Sequence, residues 1–530
     1  MTTAQPVSTW APLRSPVFRA LWIAQLVSNL GTWMQTVGAQ WMLVGDPRAA
    51  VLVPLVQTAT TLPVMLLALP SGVIADLVDR RRLLIATQGA MAATVAALAG
   101  LTGAGLTTPT VLLLLLFVIG CGQALTAPAW QAIQPDLVPP EQIPAAAALG
   151  SMSMNGARAI GPALAGALVS LSGPTLVFAL NAVSFVGIVI VLIMWRKPAV
   201  EQSFPSERAF AALNAGGRFI RSSPIVRRIL LRTALFITPA SALWGLLPVI
   251  AKDQLGLSAS GYGLLLGALG VGALLGALAL SRIRARFGQN TLLTVASVGF
   301  AATTVILALV PNFGIVMAAL VVGGAAWLLC LSTVNAAMQL SLPAWVRARG
   351  LSVYLLIFMG GQALGSVLWG ALAGATTSVT SLLGSAALLL VCGLSSLWWP
   401  LHPRTGGLDM TPSSHWPEPT LVFEPEPLDG PVLVLTSYRV DPQDEEAFVA
   451  AMSVLGRSRQ RTGASQWRLF RSVEQESTFV ETFLVRSWGE HMHQHYTRLT
   501  GQDLVIEQNV EQYTDGVPVS QHYLAVRDPR

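Results

Sequence analysis

Acidic residues are almost missing from the first 400 positions of this 530-residue chain: eight of its 26 Asp and Glu fall there, all at loops or at the ends of apolar runs. Only 11% of residues are charged, far below the quarter or so usual in soluble domains. Cysteine is scarce. Cys121, Cys330 and Cys392 each sit inside an apolar run, where they read as small packing residues, so no disulfide framework or thiolate metal site is expected. No apolar run holds a histidine, or an Asp or Glu in its interior. That removes the usual titratable group for carrying protons across a membrane and leaves only rim candidates such as Asp46, Asp76 and Asp136. The pI near 9.6 does not point to nucleic acid, because the positive residues are spread over loops. No nucleic-acid partner and no cofactor are expected.

What the chain has is apolar length. Twelve runs cover roughly 18–44, 51–75, 83–104, 109–133, 145–169, 174–195, 229–250, 257–281, 290–310, 313–338, 351–375 and 379–399. Each can cross about 30 Å of hydrocarbon at about 1.5 Å per residue. Residues 1–400 hold 21 Lys and Arg. With Met1 in the cytoplasm, outer loops carry only Arg48 and Lys252, and Arg158 lies inside a span. The bias of Lys and Arg in short loops then places both termini in the cytoplasm of a plasma (inner) membrane protein. No cleavable signal peptide is expected, since Arg14 and Arg19 lead into a stretch too long for one.

The pattern repeats. At a shift of 204, Gly72 meets Gly276, Ala75 meets Ala279, Arg80 meets Arg284, Arg82 meets Arg286, Gly161 meets Gly365 and Gly166 meets Gly370; Gln134 meets Gln339 after one residue of slip. The expected fold is an all-α polytopic membrane protein of twelve transmembrane helices in two pseudo-symmetric six-helix halves, 1–195 and 229–400. A cytoplasmic linker, 196–228, joins them, with an amphipathic helix around Phe210–Ile220. Such a repeat implies alternating access around a midplane site, with a small-molecule substrate and the lipid bilayer as partners.

These residues resemble the major facilitator superfamily. Gly72, Asp76 and Asp79 followed by Arg80, Arg81 and Arg82 are similar to its loop 2–3 signature, departing from it at Leu77 and Asp79. Gly161-Pro162 in span 5 is similar to a motif of the family's exporters, and it also bends the helix. Asn29, Gly31, Thr32, Trp33 and Gln35 resemble the subgroup containing the enterobactin exporter and macrolide efflux proteins. The resemblance implies a secondary active transporter exporting small amphipathic metabolites or drugs, with importers of polar or anionic solutes as the alternative. It also implies a cytoplasmic latch: Asp76 and Asp79 bonding Arg or a neighbouring helix's amino end. The bland reading of that loop is a solvated turn whose charges only fix topology.

Polar residues inside the spans are the candidate pathway. Gln25, Asn29, Thr32, Thr36 and Gln40 recur at helical spacing and form a stripe about 22 Å long, too costly to face lipid. Arg158 lies deep in span 5 near Asn155, with no acid at its depth, and Gln362 occupies its repeat-related position. Arg158 either anchors to carbonyls and Gln side chains, meets an anionic substrate, or lines a wet path. The glycines of spans 5, 8 and 11 read as packing sites.

The composition changes after Trp399. Residues 401–530 hold 18 acids against 11 positive residues. Residues 401–431 read as a Pro-rich linker. Beyond them come a strand at Val432–Val440, a helix at Pro442–Arg461 capped by Asp441, strands at Gln466–Val473 and Thr478–Arg486, a helix at Trp488–Thr500 and a strand at Val519–Val526. This β-α-β-β-α-β order over 432–530 implies a small α+β ferredoxin-like domain, which resembles the antibiotic-biosynthesis-monooxygenase type. A regulatory or dimer-forming tail is expected over a catalytic one. His491 and His495 share a helix face, but no third metal ligand is evident, so a solvated face is expected there.

Overall fold

The computed structural model describes residues 8–133, 137–195, 217–401, 407–419 and 421–526. It divides into two compact units. The first comprises Met1–Ser203, Arg232–Val334 and Tyr354–Pro400; the second comprises Phe204–Leu231, Asn335–Val353 and Leu401–Arg530.

Long helices dominate the apolar region: α1 (Pro16–Leu43), α2 (Ala49–Leu77), α3 (Arg80–Gly103), α4 (Pro109–Ile133), α5 (Ile143–Ser172), α6 (Pro174–Met194), α7 (Pro224–Asp253), α8 (Ala259–Arg286), α9 (Gln289–Leu309), α10 (Phe313–Leu340), α11 (Ala344–Ala375) and α12 (Ser378–Trp398). Local chemistry sets their ends. The Ser15 hydroxyl accepts from Phe18 N at 3.4 Å and Pro16 follows it, a favoured N-terminal pairing. Gly173, at φ +76°, turns the chain between α5 and α6, a backbone region that glycine enters freely. Among the described residues ten helices are long and apolar enough to cross a membrane. The other two, α1 and α5, carry the polar stripe and Arg158, and that polarity is why they fall short.

In the first unit the bundle has two ends, one rich in arginine (80–82, 282–286) and one poor in it (44–48, 252–260). Toward the poor end the two halves meet closely. Tyr262 OH donates to Gln40 Oε1 at 2.5 Å, Trp41 stacks on Tyr262 at 5.9 Å, and Lys252 Nζ lies 3.4 Å from Val44 O. The α5–α8 crossing is set by glycine: a Cβ on Gly263 would lie 2.4 Å from Pro162 O, and one on Gly166 would lie 2.5 Å from Ala259 O. Only hydrogen lets these backbones approach.

The second unit is built on a four-stranded antiparallel sheet. Its strands are β1 (Val432–Arg439), β2 (Ser465–Arg471), β3 (Thr478–Val485) and β4 (Val519–Leu524), in the order β2-β3-β1-β4. α13 (Glu445–Thr462), α14 (Trp488–His493) and α15 (Gly501–Glu511) complete the domain. β1 and β3 alternate between buried and half-buried residues, apart from the exposed Arg439 at the end of β1, as the period of two requires. Phe448, Met452, Phe479 and Phe483 fill the core.

Several expectations are corrected here. The helix expected over Trp488–Thr500 stops at His493, passes through a π turn at Gln494–Arg498 and restarts as α15. Thr500 and Asp503 form a reciprocal capping box that nucleates the restart. Asp441 makes no cap bond; a 3-10 turn at Pro442–Asp444 precedes α13. The "linker" is not all linker. Trp416 Nε1 donates to Glu507 at 2.9 Å and the indole joins the core of Val432, Phe483 and Trp488, so burial of one aromatic overrides the Pro-rich composition. Of the helix expected at Phe210–Ile220, residues before 217 lie outside the described residues; 217–222 is helical, and α7 begins at Pro224, inside the expected linker. The tail grips this segment. Arg218 donates to Glu490, which also accepts from Arg498 at 3.1 Å. Arg498 lies over Trp345 at 5.1 Å, and Trp345 meets Phe219 edge-on at 5.7 Å.

Candidate substrate-binding site

The residues of the expected stripe on α1 divide in their partners. Gln25 Nε2 donates to Asn29 Oδ1 at 2.9 Å, and Asn29 Nδ2 donates to Ser153 Oγ on α5 at 3.0 Å. Thr32 and Thr36 spend their hydroxyls on their own helix, on Ser28 O and Thr32 O. Gln40 is buried and bonded to Tyr262 and the Trp244 carbonyl, so it ties helices together. A polar side chain at a helix crossing and one at a water-filled wall have the same sequence signature.

Arg158 is the centre of what remains. Its Nε is buried and has no hydrogen-bond partner among the described residues. Its guanidinium carbon lies 5.6 Å from the centre of the Trp33 ring, a cation–π distance. Asn155, one turn away, is exposed and bonds to its own helix at Ser151 O. Gly161 lets α5 approach this region, since a Cβ there would lie 2.8 Å from Trp33 Cβ. Gln362 is apart from Arg158 in its bonding: Gln57 Nε2 donates to it at 3.4 Å, so the repeat-related position is used to join α2 and α11.

An aromatic cluster beside Arg158 was not foreseen. Trp33 lies 6.4 Å from Trp244, Trp244 lies 5.3 Å from Trp327, and Trp327 contacts Phe236, Phe300 and Phe358. The Trp244 indole N–H is buried without a partner among the described residues. Two unmet donors, one of them cationic, beside a wall of rings suit a ligand that offers acidic oxygens on an aromatic frame. The signal in the sequence was a set of aromatics from separate spans, which no spacing rule connects.

The arginine-rich loop sits elsewhere. Asp79 caps its own helix, accepting from Arg82 N at 2.8 Å, and Arg81 donates to Leu192 O and Ile193 O at 2.7 and 2.8 Å. Both residues therefore bond within the first half. The side chain of Asp76 lies outside the described residues, and a Cβ on Gly72 would meet nothing within 4 Å.

In the second unit the histidine expectation is also corrected: His491 is fully buried and His495 nearly so. No group of three or more His, Cys, Asp or Glu suited to a metal occurs among the described residues. Burial, with neighbouring His522 and His495, pushes the His491 ring down to about 3. Burial also opposes charge on Glu507, but Arg459, His415 and Trp416 hold it down at about 2. Both folded values lie below the unfolded ones. The His491 contribution is therefore complete above pH about 6.5 and is lost progressively as pH falls toward 3; the Glu507 contribution is lost only below pH about 4.3. Between pH 7.5 and 5, His491 alone should cost the tail about 2 kcal/mol. Hydrogen exchange of β3 and α13 peptides in the full chain, corrected for intrinsic rates, should show this loss, and His491→Leu should reduce it, leaving the part contributed by His522, which burial also holds down. Equal protection at both pH values would rule out the buried ring as the cause.

Comparison with known proteins places the chain. A family model described as "Transmembrane secretion effector" matches residues 7–529. The enterobactin exporter EntS of Salmonella choleraesuis is 27% identical over 390 residues, covering 72% of this chain and 91% of that protein. The staphyloferrin A transporter of Staphylococcus aureus is 30% identical over 165 residues, 31% of this chain and 42% of that protein. In fold, the chain is similar to a bacterial homologue of the lysosomal transporter Spinster, with TM-score 0.60 at 17% identity over 73% of this chain and 97% of that one. The nucleoside transporter NupG gives TM-score 0.56 at 14% identity over 72% of this chain and 98% of that one. With the long helices and the family match in agreement, the chain belongs to the transmembrane secretion effector family of the major facilitator superfamily and is a membrane transporter.

Proposed function

We propose that this protein exports small acidic aromatic molecules, siderophore-like in chemistry, by alternating access. The observation that carries the reading is Arg158: a cation against Trp33 with no acidic partner among the described residues, beside the unmet Trp244 N–H. The names of the enterobactin and staphyloferrin A transporters are in keeping with it. In this reading all twelve long helices cross the membrane, with α1 and α5 shielding their polar faces inside the bundle. In this reading the arginine-rich end is cytoplasmic, and the close contacts at the arginine-poor end support an inward-open state. Gln25, Asn29, Asn155 and Arg158 face the path. Asp76, Asp79 and Arg80–Arg82 close it only in the opposite state. The tail is a cytoplasmic ferredoxin-like domain, a reading supported by the antiparallel β2-β3-β1-β4 order.

Uptake into inverted membrane vesicles tests the substrate class. A catecholate siderophore should be taken up saturably and faster than an uncharged macrolide of similar size; transport of the macrolide alone would refute the reading. Topology has its own test. A reporter active only outside the cytoplasm, fused after Arg530, should be silent, since positive loops are retained inside. Activity there would overturn the twelve-span arrangement.

A further inference from the structure

The rings of the bundle site differ in what they leave uncovered. Trp244, Trp327, Phe236 and Phe300 are buried. Trp33 and Phe358 are only half-buried, so these two have surface to offer a ligand. They stand at opposite ends of one strip of rings. Trp33 on α1 touches Trp244, Trp244 touches Trp327, and Trp327 meets Phe358 on α11 edge-on at 6.4 Å. Trp33 already serves Arg158, whose guanidinium carbon lies 5.6 Å from its ring. Phe358 has no role in that account. Its neighbours Trp327 and Tyr354, the latter at 6.5 Å, are both buried.

The open part of Phe358 does not belong to the lipid side of α11. Phe358 precedes Gln362 by four residues, about one turn, and shares its face. Gln362 accepts from Gln57 of α2 at 3.4 Å, so this face looks into the bundle. Val367, nine residues after Phe358 and so on the opposite side of the helix, is exposed. The helix is also held in place. Trp369 Nε1 donates to the Thr238 carbonyl of α7 at 2.8 Å, and a Cβ on Gly365 would collide with the same carbonyl. Phe358 is therefore a fixed aromatic surface, turned inward and partly uncovered, on a different helix from Trp33.

We propose that Phe358 is a specificity-determining contact of the transport site: it takes a second aromatic ring of the cargo while the acidic group sits at Arg158 and the first ring at Trp33. The chemical class that fits is an acid carrying two aromatic rings on a flexible frame. Such a cargo ties α1 to α11 through its own length, which a one-ring acid cannot do. The proposal rests on the acidic-aromatic reading of Arg158 and adds the second ring to it. Ring on ring gains more than ring on a saturated group of the same size, so the preference should be for aromaticity and not for bulk.

Saturable uptake of three acids by inverted vesicles tests this. N-benzoylglycine has one ring, N-benzoylphenylalanine has two, and N-benzoylcyclohexylalanine has its second ring saturated. In the parent, N-benzoylphenylalanine should show a KM about tenfold below that of N-benzoylglycine and about threefold or more below that of the cyclohexyl acid. Phe358→Leu should raise the KM of the two-ring acid to that of the cyclohexyl acid and leave N-benzoylglycine unchanged. Phe358→Tyr should keep the parental order. Equal KM for the phenylalanine and cyclohexylalanine acids in the parent would overturn the proposal without any variant. So would an equal change for all three acids in Phe358→Leu, the mark of a packing residue. The Arg158 reading is judged apart, on N-benzoylglycine alone. Parental uptake of it by Arg158→Gln, or no uptake of any of the three acids by the parent, would refute that reading and this proposal with it. Loss of N-benzoylglycine uptake in Arg158→Gln without a ring preference in the parent would sink only the role of Phe358.

Discussion

Arg158→Gln should lower the initial rate of acidic aromatic substrate uptake by inverted vesicles about a hundredfold, with little change in expression. A hydrogen bond to a charged group contributes about 1.5–3 kcal/mol, and losing the cation removes that and its stacking on Trp33. About 3 kcal/mol is a factor of a hundred or more. Folding should survive, because no described residue of the bundle depends on a hydrogen bond to this guanidinium. Gln also occupies the repeat-related position 362 without disturbing that half. Arg158→Lys keeps the charge but not the planar fork, and should retain about a tenth of the parental rate. A Gln variant that transports at the parental rate would demote Arg158 to a packing element.

Gly263→Leu should abolish transport for a different reason. The first added carbon would sit 2.4 Å from Pro162 O and 3.0 Å from Gly166 Cα. These are main-chain atoms that cannot rotate aside, so α5 and α8 must part by about 1 Å even for the Cβ. The arginine-poor end then cannot close, and the cycle stops with that end open. In a background without native cysteines, Val44→Cys, buried in the closed state at 4% exposure, should react with a membrane-impermeant maleimide only when Gly263→Leu is present. Normal turnover in Gly263→Leu would mean that the crossing is looser than its geometry implies.

The long helices were legible because hydrocarbon demands length and apolarity together, a requirement that leaves an unmistakable run. The candidate site was half legible. Arg158 stood out as the one charge deep in a span, whereas Trp244 and Trp327 looked like any other apolar residue until the fold brought them together. Gln40 was ambiguous in the sequence because a polar residue at a helix crossing and one on a cavity wall look alike; its bonds run to Tyr262 and the Trp244 carbonyl. In the tail, alternation revealed the strands, but the break at Gln494–Arg498 was hidden: His491, His495 and Arg498 read as a wet helix face, and only burial shows them turned inward.

The α5–α8 joint bears on the cost of keeping a carrier in a living membrane. At Gly166 and Gly263 main chain lies on main chain, with no side chain between them to swing aside. A single water occupies about 30 Å³ and needs polar partners, and a contact this close has neither to spare. A file of waters cannot thread such a joint, so protons and small ions have no continuous conductor between α5 and α8. That part of the bundle is closed to leak without any side chain having to move. Electrical insulation here comes from the smallest residue in the chain rather than from a bulky plug.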